Sequence, residues 1–182
     1  MKKIFFLVLK TTIPVMLVLY VYNMFFLIGK TASSSMEGEI PKASYTITNK
    51  LAYVNKNPSR GDIIVFNDAT GNQTMKRIIG LPKETIKFVD GYVYVNEKRL
   101  DESMYLDEEG NTYSSETFKV PENSYFVLGD NRLDSYDSRF MKESFVSKDN
   151  IVGRVIYCFV NVKNSYPVYR MKELQRRSTY EM

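Results

Sequence analysis

Ser35, Lys76 and the charged run GDNRLDSYDSR at 129–139 are the residues of this chain whose types could do chemistry, and the 182-residue sequence contains no histidine to help them. Without imidazole, neither a Ser-His-Asp triad nor a histidine metal site can be built. If Ser35 is a nucleophile, another group must take its proton, and Lys76 is the candidate. It sits in the apolar run Met75-Lys76-Arg77-Ile78-Ile79. Burial disfavours an ammonium and lowers its pKa, so an inward-facing lysine could act as a base near neutral pH. Adjacent strand residues face opposite sides, so at most one of Lys76 and Arg77 is expected to point inward, and which one stays open. By itself, Ser33-Ser34-Ser35 reads as a polar linker. The run at 129–139 places Asp130, Arg132, Asp134, Asp137 and Arg139 within eleven residues. Such a loop can lock itself with charge-assisted hydrogen bonds, which is a structural role. Ser135 within it is a further hydroxyl able to orient an amine.

The elements that must position these residues read as mainly β. Residues 45–54, 62–66, 74–81, 117–120, 125–128 and 151–160 are short runs rich in β-branched and aromatic residues. Runs at 86–89 and 92–95 flank Asp90-Gly91, a two-residue hairpin signal. Punctuation at Pro58, Gly61, Gly71, Pro82 and Pro121 predicts a compact antiparallel sheet sandwich or partly open barrel. The acidic segment 101–116 reads as an exposed loop, and a short helix is expected at 171–177. Cys158 is the sole cysteine, so no intramolecular disulfide exists, and its apolar surroundings predict a core thiol.

Residues 1–30 stand apart. They contain no acidic residue, and 11–28 carry no charge over 18 positions, a helical length of roughly 27 Å that matches a bilayer core. A cleaved signal peptide is the competing reading, but the apolar run exceeds a typical h-region and the site at Thr31-Ala32-Ser33 is poorly formed. Lys2, Lys3 and Lys10 precede the run and Lys30 follows it, which predicts a cytoplasmic N-terminus and an extracytoplasmic remainder. The expected organisation is therefore a single-pass cell-membrane anchor at 1–30, a β domain at 31–165 and a polar tail at 166–182. The formal charge of +4 comes from the four lysines of 1–30; the remainder balances 21 basic against 21 acidic residues. A neutral outer domain gives no ground for nucleic-acid binding.

Taken together, these segments resemble the bacterial type I signal peptidases. The resemblance lies in Ser35-Met36, in Gly61-Asp62 opening a strand, in Lys76-Arg77-Ile78-Ile79-Gly80-Leu81-Pro82, and in the gapless box Gly-Asp-Asn-Arg, two variable residues, Ser, one variable residue, Asp-Ser-Arg at 129–139. It runs from the apolar segment to about Val155. It implies a membrane-bound serine endopeptidase of the compact Gram-positive type that removes signal peptides from exported preproteins at the lipid surface. Ser35 would be the nucleophile and Lys76 the general base. The Ser33 hydroxyl and the Ser35 N–H would form the oxyanion hole, and Ser135 would hydrogen-bond Lys76. Asp130, Arg132, Asp137 and Arg139 would build the scaffold beneath. The substrate would add as a strand, with Ile40, Ile63 and Val65 as candidate pocket residues. No metal or organic cofactor is expected, since there is no histidine, one thiol and no phosphate-cradling loop.

Three departures from the family pattern stand out. Glu37-Gly38-Glu39-Ile40 replaces a variable residue and Pro-Thr, Lys83-Glu84 replaces Gly-Asp, and Phe140-Met141-Lys142-Glu143-Ser144-Phe145 lengthens the link after the box. They suit a relative dedicated to a few surface substrates. They also keep a rival of another class in view, a catalytically weak or inactive assembly factor or chaperone for surface proteins. A self-cleaving repressor-like protein is opposed by the apolar segment and the neutral outer domain.

Overall fold

The computed structural model describes the backbone of residues 2–106, 108–161 and 164–167, and side chains from Leu9 to Phe159 except position 107. A helix, α1 (Lys2–Phe25), is followed directly by β1 (Phe26–Lys30). The uncharged run is thus divided: Ile28 lies on a strand that pairs along its whole length with β2 (Tyr45–Asn49), Ile28 opposite Ile47. Gly29 disfavours a helix, while the cross-strand partners favour extended chain. Among the described residues no helix is long and apolar enough to cross a membrane.

Ten more strands follow. They are β3 (Ile63–Asn67), β4 (Gln73–Gly80), β5 (Thr85–Val89), β6 (Tyr92–Val95), β7 (Lys98–Arg99), β8 (Phe118–Lys119), β9 (Ser124–Leu128), β10 (Val146–Ser147), β11 (Ile151–Asn161) and β12 (Asn164–Pro167). One antiparallel sheet has the order β1-β2-β11-β3-β4-β9-β10, with β12 paired to β11. The other has the order β7-β6-β5-β8. The mainly β expectation holds. The Asp90-Gly91 signal holds too: Val89 pairs with Tyr92, and the two loop residues have φ of 50° and 80°, both in the left-handed region such hairpins need. The short strands β1, β7, β10 and β12 carry too little sequence pattern to be read in advance. The expected boundary at 165 falls inside β12, and the helix expected at 171–177 lies outside the described residues.

The middle of the larger sheet is covered on both faces. Ile63 and Val65 of β3 join Met36, Ile40, Val155 and Cys158 in one core cluster. Ile64 and Phe66 join Ile78, Tyr125, Val127 and Val146 in another. A third cluster packs the smaller sheet against β4 and β9 through Ile79, Ile86, Phe118 and Phe126. Burial on both sides erases the alternation of a half-wet strand. It also overturns the expectation that only one of Lys76 and Arg77 points inward: they are 3% and 0% exposed. Lys76 pairs with Ile64 and Arg77 with Ile63, so each lies on its own face among apolar neighbours.

The acidic segment 101–116 is a second correction. Glu102, Tyr105, Leu106 and Thr112 are buried. The Thr112 N–H donates to Gly91 O at 2.9 Å, tying the segment to the hairpin. A Cβ on Gly91 would lie 1.9 Å from Gly110 O, so the loop is pressed onto the turn. Charge made the whole stretch look solvated; this part of it is buried because the Glu102 carboxylate meets Arg132 from elsewhere in the chain.

Candidate active site

Past β1 the ladder continues for one residue, with the Thr31 N–H on Ser44 O at 2.8 Å and the Ala43 N–H on Thr31 O at 2.9 Å. The chain then turns. The Glu37 N–H donates to Ser34 O and the Ile40 N–H to Met36 O, at 2.9 and 2.8 Å. Gly38 takes φ of 111°, which a glycine adopts without steric cost. The Glu37-Gly38-Glu39-Ile40 departure is therefore an ordered turn, pinned by Met36 and Ile40 in the core. Burial pushes the Glu39 carboxyl up, while the nearby Arg77 pulls it down.

This turn puts Ser35 against β4. Lys76 Nζ donates to Ser35 Oγ at 2.7 Å, and Ser35 is 5% exposed. Burial drives the Lys76 pKa from 10.5 down to about 8, although the Asp137 and Asp130 carboxylates pull it upward. An appreciable share of the amine is then neutral near pH 8 and able to accept a proton along that contact.

The 129–139 run closes on the same turn from behind. Asn131 N–H donates to Ser35 O at 3.1 Å, and a Cβ on Gly129 would lie 2.4 Å from that same carbonyl oxygen. Glycine is required there by close approach, since the backbone of the box and of Ser35 are in contact. Asp137 accepts from the Gly129 N–H at 3.0 Å and from Arg139 Nε and Nη2 at 2.9 Å. Arg139 Nη2 also reaches Arg132 O at 2.8 Å. Asp130 takes Arg77 Nε and Nη2 at 2.8 and 2.6 Å, in a pair fully shielded from solvent. Arg132 is held by Glu102 through two contacts at 2.9 and 2.6 Å and by Thr112 Oγ1 at 2.7 Å. Arg77 also stacks its guanidinium over Tyr105 at 4.1 Å.

Arg77, Glu102, Tyr105 and Thr112 were not singled out from the sequence. Arg77 had a visible signal in its place beside Lys76. Glu102 had none, for its partner is 30 residues away.

One expected contact is absent. Ser135 Oγ is buried without a hydrogen-bond partner and does not bond Lys76; it packs where a Cβ on Gly129 would fall, 2.2 Å from that point. Ser33 Oγ accepts the Ser35 N–H at 3.1 Å, so the two expected oxyanion donors are bonded to each other. A backbone N–H seeks an acceptor, and a serine hydroxyl two residues back is the nearest local one.

Ser33, Ser35 and Lys76 open on a cleft of about 470 Å³ that is also lined by Lys30, Gln73, Thr74, Met75 and Asp134. β9 pairs with β4 only at Arg77, Ile78 and Gly80, so on that edge Gln73 to Lys76 have no strand partner. β1 pairs with β2 alone. The cleft thus lies between two strand edges. A smaller pocket of about 110 Å³, lined by Gly29, Thr46, Thr48 and Val65, shares Lys30, Gln73, Thr74 and Met75 with it. Ile40 and Ile63 do not line either space: they are 0% and 1% exposed, in the core beneath.

Comparison with known proteins places the sequence in a family. The family model described as "Signal peptidase, peptidase S26" matches residues 5–160. "Probable signal peptidase I-2" of Synechocystis sp. (strain PCC 6803) is 38% identical over 70% of this chain, which spans 60% of that relative's length. "Signal peptidase I V" of Bacillus subtilis (strain 168) is 34% identical over 84% of this chain and 96% of its own. A crystal structure of a signal peptidase I from Enterococcus faecalis V583 is 36% identical, with a TM-score of 0.47 over 54% of this chain and 97% of that one. The chain belongs to the signal peptidase family, peptidase S26, and with it to the serine endopeptidases.

Proposed function

We propose that this protein is a membrane-bound endopeptidase that removes N-terminal signal peptides from exported preproteins, with Ser35 as nucleophile and Lys76 as general base. The observation that carries the reading is the 2.7 Å contact between a buried lysine amine and a buried serine hydroxyl. Neutral Lys76 takes the Ser35 proton as Oγ attacks the scissile carbonyl. The Ser35 N–H and the Ser33 hydroxyl stabilise the oxyanion once Ser33 turns from accepting to donating. The Lys76 ammonium then protonates the leaving amine, and water, deprotonated by Lys76, hydrolyses the acyl-enzyme. Asp130, Arg132, Asp137 and Arg139 hold the frame, and Ser135 needs a rotation to reach the amine.

The partnerless edge of β4 and the free edge of β1 suit an extended peptide added between them by main-chain hydrogen bonds. The small pocket beside the cleft suits a small side chain of that peptide. Lipid contact is supported by α1, whose Ile13, Val15, Met16, Leu17, Val18 and Leu19 are all exposed. Apolar side chains exposed on every face of a helix need an apolar surrounding. With β1 starting at Phe26 and Ser35 a few residues beyond, the cleft would open near the lipid surface, the anchor's N-terminus being cytoplasmic and the β domain outside.

The test uses the full chain in detergent with a preprotein substrate. Wild-type cleavage, lost in both Ser35→Ala and Lys76→Ala, is the expected result. A Lys76→Ala enzyme retaining most of its activity would falsify the dyad, and wild-type silence against several preproteins would favour the inactive assembly factor.

A further inference from the structure

The middle serine of Ser33-Ser34-Ser35 has no part in the reaction above, yet it is held as firmly as its neighbours. Ser34 Oγ donates to Asp134 Oδ2 at 2.5 Å, across 100 residues of sequence. Asn131 Nδ2 donates to Ser34 O at 3.4 Å, and the Asn131 N–H to Ser35 O at 3.1 Å. The box therefore grips the segment at the carbonyls of two successive residues and at one side chain between them.

The peptide unit joining Ser34 to Ser35 is planar. It carries the Ser34 carbonyl at one end and the Ser35 N–H at the other, so whatever fixes the carbonyl also aims the N–H. We propose that Asn131 and Asp134 are positioning residues: together with the Glu37 N–H, which also donates to Ser34 O at 2.9 Å, they act through Ser34 to set the plane of this peptide unit and so aim the Ser35 N–H at the developing oxyanion. The inference rests on Ser35 being the nucleophile. Asp134 fills one of the two variable places in the 129–139 box, so the family resemblance assigns it nothing. It also lines the cleft that Ser35 faces. A carboxylate is acceptor-only, so it holds the Ser34 hydroxyl in one sense. The Ser34–Asp134 bond is exposed, and an exposed hydrogen bond adds little to global stability. An effect on turnover is therefore separable from an effect on folding.

The experiment measures kcat and KM on a preprotein for the full chain in detergent, with Ser34→Ala, Asp134→Ala, the double variant, Asp134→Asn and Ser35→Ala. Misaiming one oxyanion donor without deleting it is expected to lower kcat about tenfold, below the loss from removing such a donor. KM should stay within about twofold, since the N–H acts on the transition state. The double variant should be no worse than either single one, Asp134→Asn should recover most of the rate by keeping an acceptor, and the melting temperature should not move. Ser34→Ala at wild-type kcat, with Ser35→Ala inactive, would overturn the positioning role alone. Multiplying losses in the double variant, or a loss confined to KM, would do the same. An active Ser35→Ala enzyme would overturn both this inference and the reading it rests on.

Discussion

Replacing Lys76 by methionine should abolish cleavage and, at neutral pH, make the fold more stable. Lys76 is 3% exposed, and burial holds its pKa down at about 8 against an ordinary 10.5. Each unit corresponds to about 1.36 kcal/mol, so carrying the charged lysine costs the folded state about 3 kcal/mol at pH 7. Between pH 8 and 10.5 the unfolded chain binds a proton that the folded chain does not. Wild-type stability therefore rises with pH across that window, by the sign of the linkage relation. Methionine fills a similar volume without that cost and forfeits one hydrogen bond to Ser35, worth about 1 kcal/mol. The variant should be about 2 kcal/mol more stable at pH 7, and the advantage should shrink above pH 8 and vanish near about pH 10. Urea unfolding of both full chains in one detergent, followed from neutral to alkaline pH, measures this directly. A variant less stable than wild type at pH 7, or a difference that does not change with pH, would refute the claim that a buried, charge-penalised amine sits beside Ser35.

Cleavage itself should follow the neutral form of Lys76. Single-turnover rates should rise with pH to a midpoint at about 8, with no limb in the histidine range. Gly129→Ala places a methyl 2.4 Å from Ser35 O; activity should fall at least about tenfold through displacement of the Ser35 segment. Adding Ser135→Ala should not restore it, because the backbone clash remains. Asp130→Ala leaves the Arg77 guanidinium buried and uncompensated, and should cost about 3–5 kcal/mol in denaturant unfolding; an apolar pair at both positions should recover much of that loss. Glu102→Ala should likewise destabilise, because it strips Arg132 of two of its contacts; a neutral result in denaturant would show that 101–116 is not part of the frame.

Much of the β framework was legible because its signals are local. The Asp90-Gly91 turn needs only two residues able to take positive φ, and the runs that became β3, β4, β9 and β11 carry β-branched and aromatic residues in strand-length blocks. The helix end was not legible, because residues 26–28 are as apolar as those before them. Only the pairing with β2 makes them a strand. The acidic look of 101–116 misled for a similar reason: a carboxylate is solvated unless a cation meets it, and Arg132 meets Glu102 from another part of the chain.

By itself the sequence determined that no imidazole serves this protein, that Ser35 and Lys76 are the nucleophile and base to consider, and that the 129–139 box accompanies them. Tertiary structure decided what those residues touch. Lys76 and Arg77 are both buried because β4 is covered on both faces, which strand periodicity cannot reveal. One then meets Ser35 and the other Asp130, at separations of 41 and 53 residues. Around Ser33 and Ser135 the geometry is the one that local hydrogen bonding and close packing around Gly129 impose. The kind of chemistry is written in residue types, whereas the pKa of Lys76 and the aim of the Ser35 N–H depend on burial and on distant partners that only the folded chain brings together.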